Sequence, residues 1–101
     1  MPRKTNFLNL IRQTLKPMCY AIIGAEGDFY FLVEEHQDIQ TAKARSEQYF
    51  NAAFCSPFND DLLHNEFNRV TPIGEGDHIH RRRIEHTNHK NDVGSVWVVE
   101  Y

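Results

Sequence analysis

Two short apolar runs, separated by four residues suited to a tight turn, leave this chain little choice of core. Cys19 to Gly24 (CYAIIG) and Phe29 to Val33 (FYFLV) are dense in the aromatic and branched residues that favour strands. Between them stands Ala25-Glu26-Gly27-Asp28, where Gly27 can take the positive φ of a tight connection. An antiparallel hairpin is therefore expected. With Glu26 and Gly27 as its loop, Ile22 pairs with Phe31 and Tyr20 with Val33 on one side of the sheet. Ile23 with Tyr30 and Ala21 with Leu32 then occupy the other. Both sides are apolar, so both need cover unless one is left for a partner.

Asp38 is a good N-cap for the pattern that follows, which runs to about Phe54. Ile39, Ala42, Ser46, Tyr49, Phe50, Ala53 and Phe54 form one helical stripe. Its small residues allow close approach to the sheet, and its aromatic end fills a wider space. Gln40, Lys43, Glu47 and Gln48 fall on the water side. Ser56-Pro57 breaks the helix. Asn59-Asp60-Asp61 opens a second one, with acids at the positive end of its dipole and Leu62, Leu63 and Phe67 to anchor it.

Ahead of the hairpin, Phe7, Leu8, Ile11 and Leu15 repeat at helical spacing until Pro17. This N-terminal helix is expected to pack on the domain, where it can cover the second sheet face; residues 1–4 read as a loose basic end. Thr71 to Asp77 reads as a loop from its Pro and Gly. His78 to Glu85 (HIHRRRIE) reads as a polar edge strand, and His86 to Gly94 as a polar connection. Ser95 to Tyr101 (SVWVVEY) is a strong final strand, with Trp97, Val99 and Tyr101 on one face and Val96 and Val98 on the other. The order α-β-β-α-α-β-β implies a single α+β domain over residues 1–101: an antiparallel sheet of about four strands with helices packed on it. A free edge on the last strand would allow pairing with a second copy, so monomer and homodimer are both compatible with the sequence.

Charge is unevenly distributed. Arg3, Lys4, Arg12 and Lys16 give residues 1–17 a charge of +4, residues 18–66 carry −7, and residues 67–101 balance. That asymmetry argues against a uniformly basic nucleic-acid binder. The two cysteines, Cys19 and Cys55, make no framework and read as buried reduced thiols. No apolar run has signal-peptide or membrane-spanning length, so a cytoplasmic location without membrane contact is expected.

Three groups of residues are candidates for function. His78 and His80, two apart on a strand, can direct both imidazoles at one metal ion, with His86 or His89 completing the shell; solvated edge histidines are the simpler expectation, so no cofactor is assigned. Arg81, Arg82 and Arg83 form the only cationic run, suited to bidentate contacts with phosphate or with an acidic protein patch. Glu34 and Glu35 begin an acidic stretch that can dock on a basic partner.

Gly27 to Val33 is similar to the aromatic strand of an RNA-recognition motif over that strand and the following helix only. Glu26 replaces the basic residue expected before the glycine, and the preceding strand-helix unit is absent. Phe29, Tyr30 and Phe31 are accordingly expected in the core. No catalytic motif stands out. The sequence is most consistent with a small non-enzymatic protein that binds and regulates or inhibits a larger protein or nucleoprotein, using Arg81 to Arg83, Glu34 and Glu35. Small accessory and anti-defence proteins of phages and mobile elements have this general profile. The alternatives are a metal-dependent hydrolase or nuclease built on His78 and His80, and a nucleic-acid-binding module built on the arginines.

Overall fold

The computed structural model describes residues 19–55, 59–74 and 82–100. The chain forms β1 (Tyr20–Glu26), β2 (Phe29–His36), α1 (Ile39–Phe54), α2 (Asp60–Glu66), β3 (Thr71–Gly74), β4 (Arg83–Lys90) and β5 (Gly94–Glu100). These strands make one antiparallel sheet in the order β3-β2-β1-β5-β4. The α+β class expected from the sequence is present, with five strands instead of four. The N-terminal helix expected before Pro17 lies outside the described residues, as do His78, His80, Arg81 and Tyr101.

The first hairpin turns one residue later than expected. Gly27 has a φ of 58° and Asp28 completes the two-residue loop, so Glu26 pairs with Phe29 and Gly24 with Phe31. A glycine at the first central position is the requirement of a type II′ turn, whose twist suits the flanking strands. The register thus moves by two residues against the expected pairing. A two-residue shift keeps every side chain on its face, and the assignment of faces is unchanged. A bulge beside Ile22 then brings Glu34 opposite Ile22.

Two stretches read as loop and connection are strands. Among the described residues Thr71–Gly74 is the edge strand β3, paired with β2 alone. Pro72 is tolerated there because an edge strand has no outer neighbour needing its missing N–H. His86 to Lys90 belongs to β4, the other edge, and pairs with β5. Its polarity hid it: an edge strand facing water needs little apolar surface. The hairpin closes with Val93 N–H donating to the Lys90 carbonyl at 3.1 Å, and Asp92 takes a φ of 61°. The final strand offers no free edge for a second copy, because β5 lies between β1 and β4.

One face of the sheet carries both described helices. Ile22, Phe31, Val33, Val96 and Val98 meet Ala42, Tyr49 and Phe54 of α1 and Phe67 beyond α2. Asp38 caps α1, accepting from Thr41 N at 2.8 Å and Thr41 Oγ1 at 2.7 Å, and these bonds hold its carboxyl below the usual range. Asn59 caps α2 by accepting from Leu62 N at 3.0 Å. Lys90 Nζ donates to the Phe54 carbonyl at 3.0 Å, placing a cation at the C-terminus of a helix with no basic residue in its last turn. Tyr49 stands edge-on to Phe31, Phe54 and Phe67, and burial, with a smaller effect from Glu26, pushes its hydroxyl up to about 12. Phe29, expected in the core, is 51% exposed, because it follows the turn directly.

The opposite face has its own cluster of Ala21, Ile23 and Val99, bordered by Tyr30, Leu32, Ile73 and Trp97. No residue of either described helix belongs to it.

Two glycines allow the aromatic layer to lie close to the strands. A Cβ on Gly24 would stand 2.3 Å from the Phe31 ring, and one on Gly94 would stand 2.6 Å from the Phe54 ring. Gly24→Ala is therefore expected to destabilise the fold by about 1–3 kcal/mol, with Phe31→Leu in the same chain recovering part of the loss. Denaturant melts of the single and double variants check this; additive losses would show that the Phe31 ring is not the obstacle.

Candidate functional site

Glu34, expected to meet a partner, lies on the helix-bearing face at the junction of β2, α1 and α2. Arg45 grips its carboxylate with two hydrogen bonds, and His36 Nε2 approaches the same group at 2.7 Å. The guanidinium also donates to Gln48 Oε1 at 3.1 Å, to Glu66 Oε2 at 3.3 Å and to the Glu66 carbonyl at 3.2 Å, and its Cζ lies 4.3 Å from the centre of the Phe67 ring. One arginine thus ties a strand to two helices by bidentate, helix-end and cation–π contacts. Burial raises the Glu34 pKa, but the bonds to Arg45 and His36 outweigh it and the carboxyl titrates below its ordinary 4.5. The same partner holds the Arg45 guanidinium charged. Glu35 points to the other face, opposite Ala21, and is exposed.

Of the cationic run, Arg82 precedes β4 and Arg83 begins it. Arg83 has a side chain 77% exposed and reaches Glu85 Oε1 at 3.0 Å. Ile84 beside it is 40% exposed. The strand has a neighbour on one side only, so its outer backbone edge is unpaired within the described sheet over eight residues, interrupted by a bulge beside Glu85.

The structure does not bring His86 and His89 together. His86 pairs with Val98 on the helix-bearing face, where its buried Nε2 has no hydrogen-bond partner and Glu47 Oε1 stands 3.4 Å away. His89 pairs with Ser95 on the opposite face. Among the described residues no group of three or more His, Cys, Asp or Glu is placed to hold a metal ion. Cys19 and Cys55 are free thiols and only half-buried.

A site the sequence reading missed lies where the two hairpins turn. A cavity of about 310 Å³ opens on the second face, its lining including Ala25, Tyr30, His89, Asp92, Ser95 and Trp97. Tyr30 and Trp97 lie nearly parallel, at 9° with ring centres 5.9 Å apart, on either side of β1. His89 Nε2 is 2.9 Å from Asn91 Oδ1, and His89 Nδ1 is 2.6 Å from Ser95 Oγ. An amide oxygen only accepts, so in the neutral ring the proton sits on Nε2 and Ser95 donates its hydroxyl proton to Nδ1. The Asn91-Asp92 turn signal was present in the sequence, but this cross-strand pairing required knowing that β4 continues to Lys90.

Comparison with protein-family models, with curated proteins and with solved structures finds no match. Among the described residues no helix is long and apolar enough to cross a membrane.

The Glu34–Arg45 bond gives the fold a specific acid sensitivity. A carboxyl whose folded pKa is depressed contributes stability above its unfolded value, near 4.5, and loses it as pH falls through the folded pKa. Glu34→Gln is expected to cost about 1–2 kcal/mol at pH 7. The gap between wild type and variant should narrow as the pH drops below about 4.5. Parallel stability curves from pH 7 to 3 would contradict this assignment.

Proposed function

We propose that this chain is a small non-enzymatic binding protein that regulates or inhibits a larger protein or nucleoprotein partner. The observation that carries the reading is the outer edge of β4, unpaired within the described sheet and beginning with exposed Arg83 and Ile84. An exposed edge supplies backbone donors and acceptors for an added strand, with Arg83 and Ile84 on opposite faces of it, and arginine is a frequent anchor in protein interfaces. Several groups with acid–base or ligating side chains are held apart from one another: Glu34 is held by Arg45, and His86 and His89 lie on opposite faces. A link to accessory proteins of phages or mobile elements is an analogy that rests on the uneven charge along the sequence. Arg81, adjoining this edge in sequence, belongs to the same proposed surface, as does exposed Glu35 on the neighbouring face.

The test is capture of the partner from host lysate by the tagged protein, with and without nuclease, followed by affinity measurement on the purified pair. Arg81→Glu combined with Arg83→Glu is expected to weaken binding at least about tenfold while leaving the thermal melt within a degree or two. Undiminished affinity would remove the β4 edge from the interface. Retention lost with nuclease would transfer the reading to nucleic acid, with affinity falling steeply as salt rises.

A further inference from the structure

We propose that the cavity between the two hairpin turns receives one arginine side chain of a protein partner. The inference rests on the binding-protein reading and names the chemistry of a second contact, on the face opposite the helices.

Three features of the lining favour a planar cation. Tyr30 and Trp97 present two nearly parallel rings, and a guanidinium stacks on such faces more readily than an ammonium does. Asp92 is the only acidic residue of the lining and has no ion-pair partner among the described residues. In the neutral tautomer protonated on Nε2, Ser95 gives its only proton to His89 and its remaining capacity is as an acceptor. Acceptors and aromatic faces together suit a ligand made of N–H donors.

The cations near the cavity do not fill this role. Lys90 lines it, but its ammonium is bonded to the Phe54 carbonyl on the helix-bearing side of the sheet. His89 has both ring nitrogens engaged, Nε2 by Asn91 and Nδ1 by Ser95. The volume, about 310 Å³, is at the small end for ligand pockets and suits one side chain better than a large cofactor. Asp92 is also kept at a φ of 61°, where glycine would be unstrained, so its carboxylate is retained at a conformational cost.

Trp97 is the only tryptophan, so its fluorescence reads this cavity without labelling. The full chain is titrated with N-acetyl-arginine amide, and with N-acetyl-citrulline amide as the neutral analogue of the same shape. A saturable change in Trp97 emission is expected with the arginine compound, at least about fivefold weaker with citrulline. Asp92→Asn should weaken arginine binding about fivefold or more. Asp92→Gly should do the same without lowering the melting temperature, because glycine accepts the φ of that turn; this separates a lost contact from a lost fold.

An unchanged emission up to about 100 mM arginine amide, an equal response to citrulline, or wild-type affinity in both Asp92 variants would each overturn the proposal. If a captured partner is lost on Arg81→Glu/Arg83→Glu while any of those three results is obtained, the cavity assignment fails and the binding-protein reading stands. If arginine amide binds as expected but no partner is captured, the guanidinium site stands, while the binding-protein reading and with it the assignment of the ligand to a protein partner fail.

Discussion

The rings of Phe31 and Phe54 occupy the space where Cβ atoms would stand if Gly24 and Gly94 were any other residues. That close approach sets the distance between α1 and the sheet, and much of the core follows from it. Tyr49 stands edge-on to Phe31, Phe54 and Phe67, and the first two of these are the rings that lie against the glycines. Small residues on α1 act in the same direction: Ala42 and Ser46 are both fully buried. Ser46 can be buried because its hydroxyl donates to the Lys43 carbonyl at 2.7 Å, which leaves no donor unsatisfied.

The strongly patterned parts of this fold were legible in the sequence. The apolar runs of β1, β2 and β5, the Asp38 cap and the α1 stripe each combine a local preference with a face to bury, and those signals agree. The edges were legible only in part, the polar edge strand expected over His78 to Glu85 coinciding with β4 at Arg83 to Glu85 alone, and for a common reason. β3 and β4 need cover little apolar surface, so Pro72 and the run His86 to Lys90 resemble connections even though their backbones are paired. The hairpin register was also misplaced, because Glu26, Gly27 and Asp28 can each serve in a turn and only the backbone shows which two do.

The candidate sites divide along the same line. Glu34 was singled out for its charge, and its charge matters, but toward Arg45 within the chain. The sequence shows an acid and an arginine eleven positions apart without showing that strand and helix place them in contact. The sequence places Trp97 on one face of a strongly apolar strand. It does border the cluster around Val99, and its ring also forms one wall of the cavity. A residue at the margin of a core commonly has both surroundings, and sequence pattern registers only the apolar one.

The position of β5 has a consequence for how this protein forms. β1 is the central strand, and its second neighbour is the last described element, with Ile22 opposite Val98. During synthesis β1 and β2 can pair early, but one edge of β1 stays open until nearly the whole domain has left the ribosome. Closing so long a loop is entropically slow, and the open edge carries Ile22 and Ile23, apolar on both faces. Nascent chains therefore pass through a stage in which this apolar strand has only one of its two partners. Until β5 arrives, the Tyr30–Trp97 pair cannot form either, so the stacked aromatic wall exists only in chains that have completed the sheet.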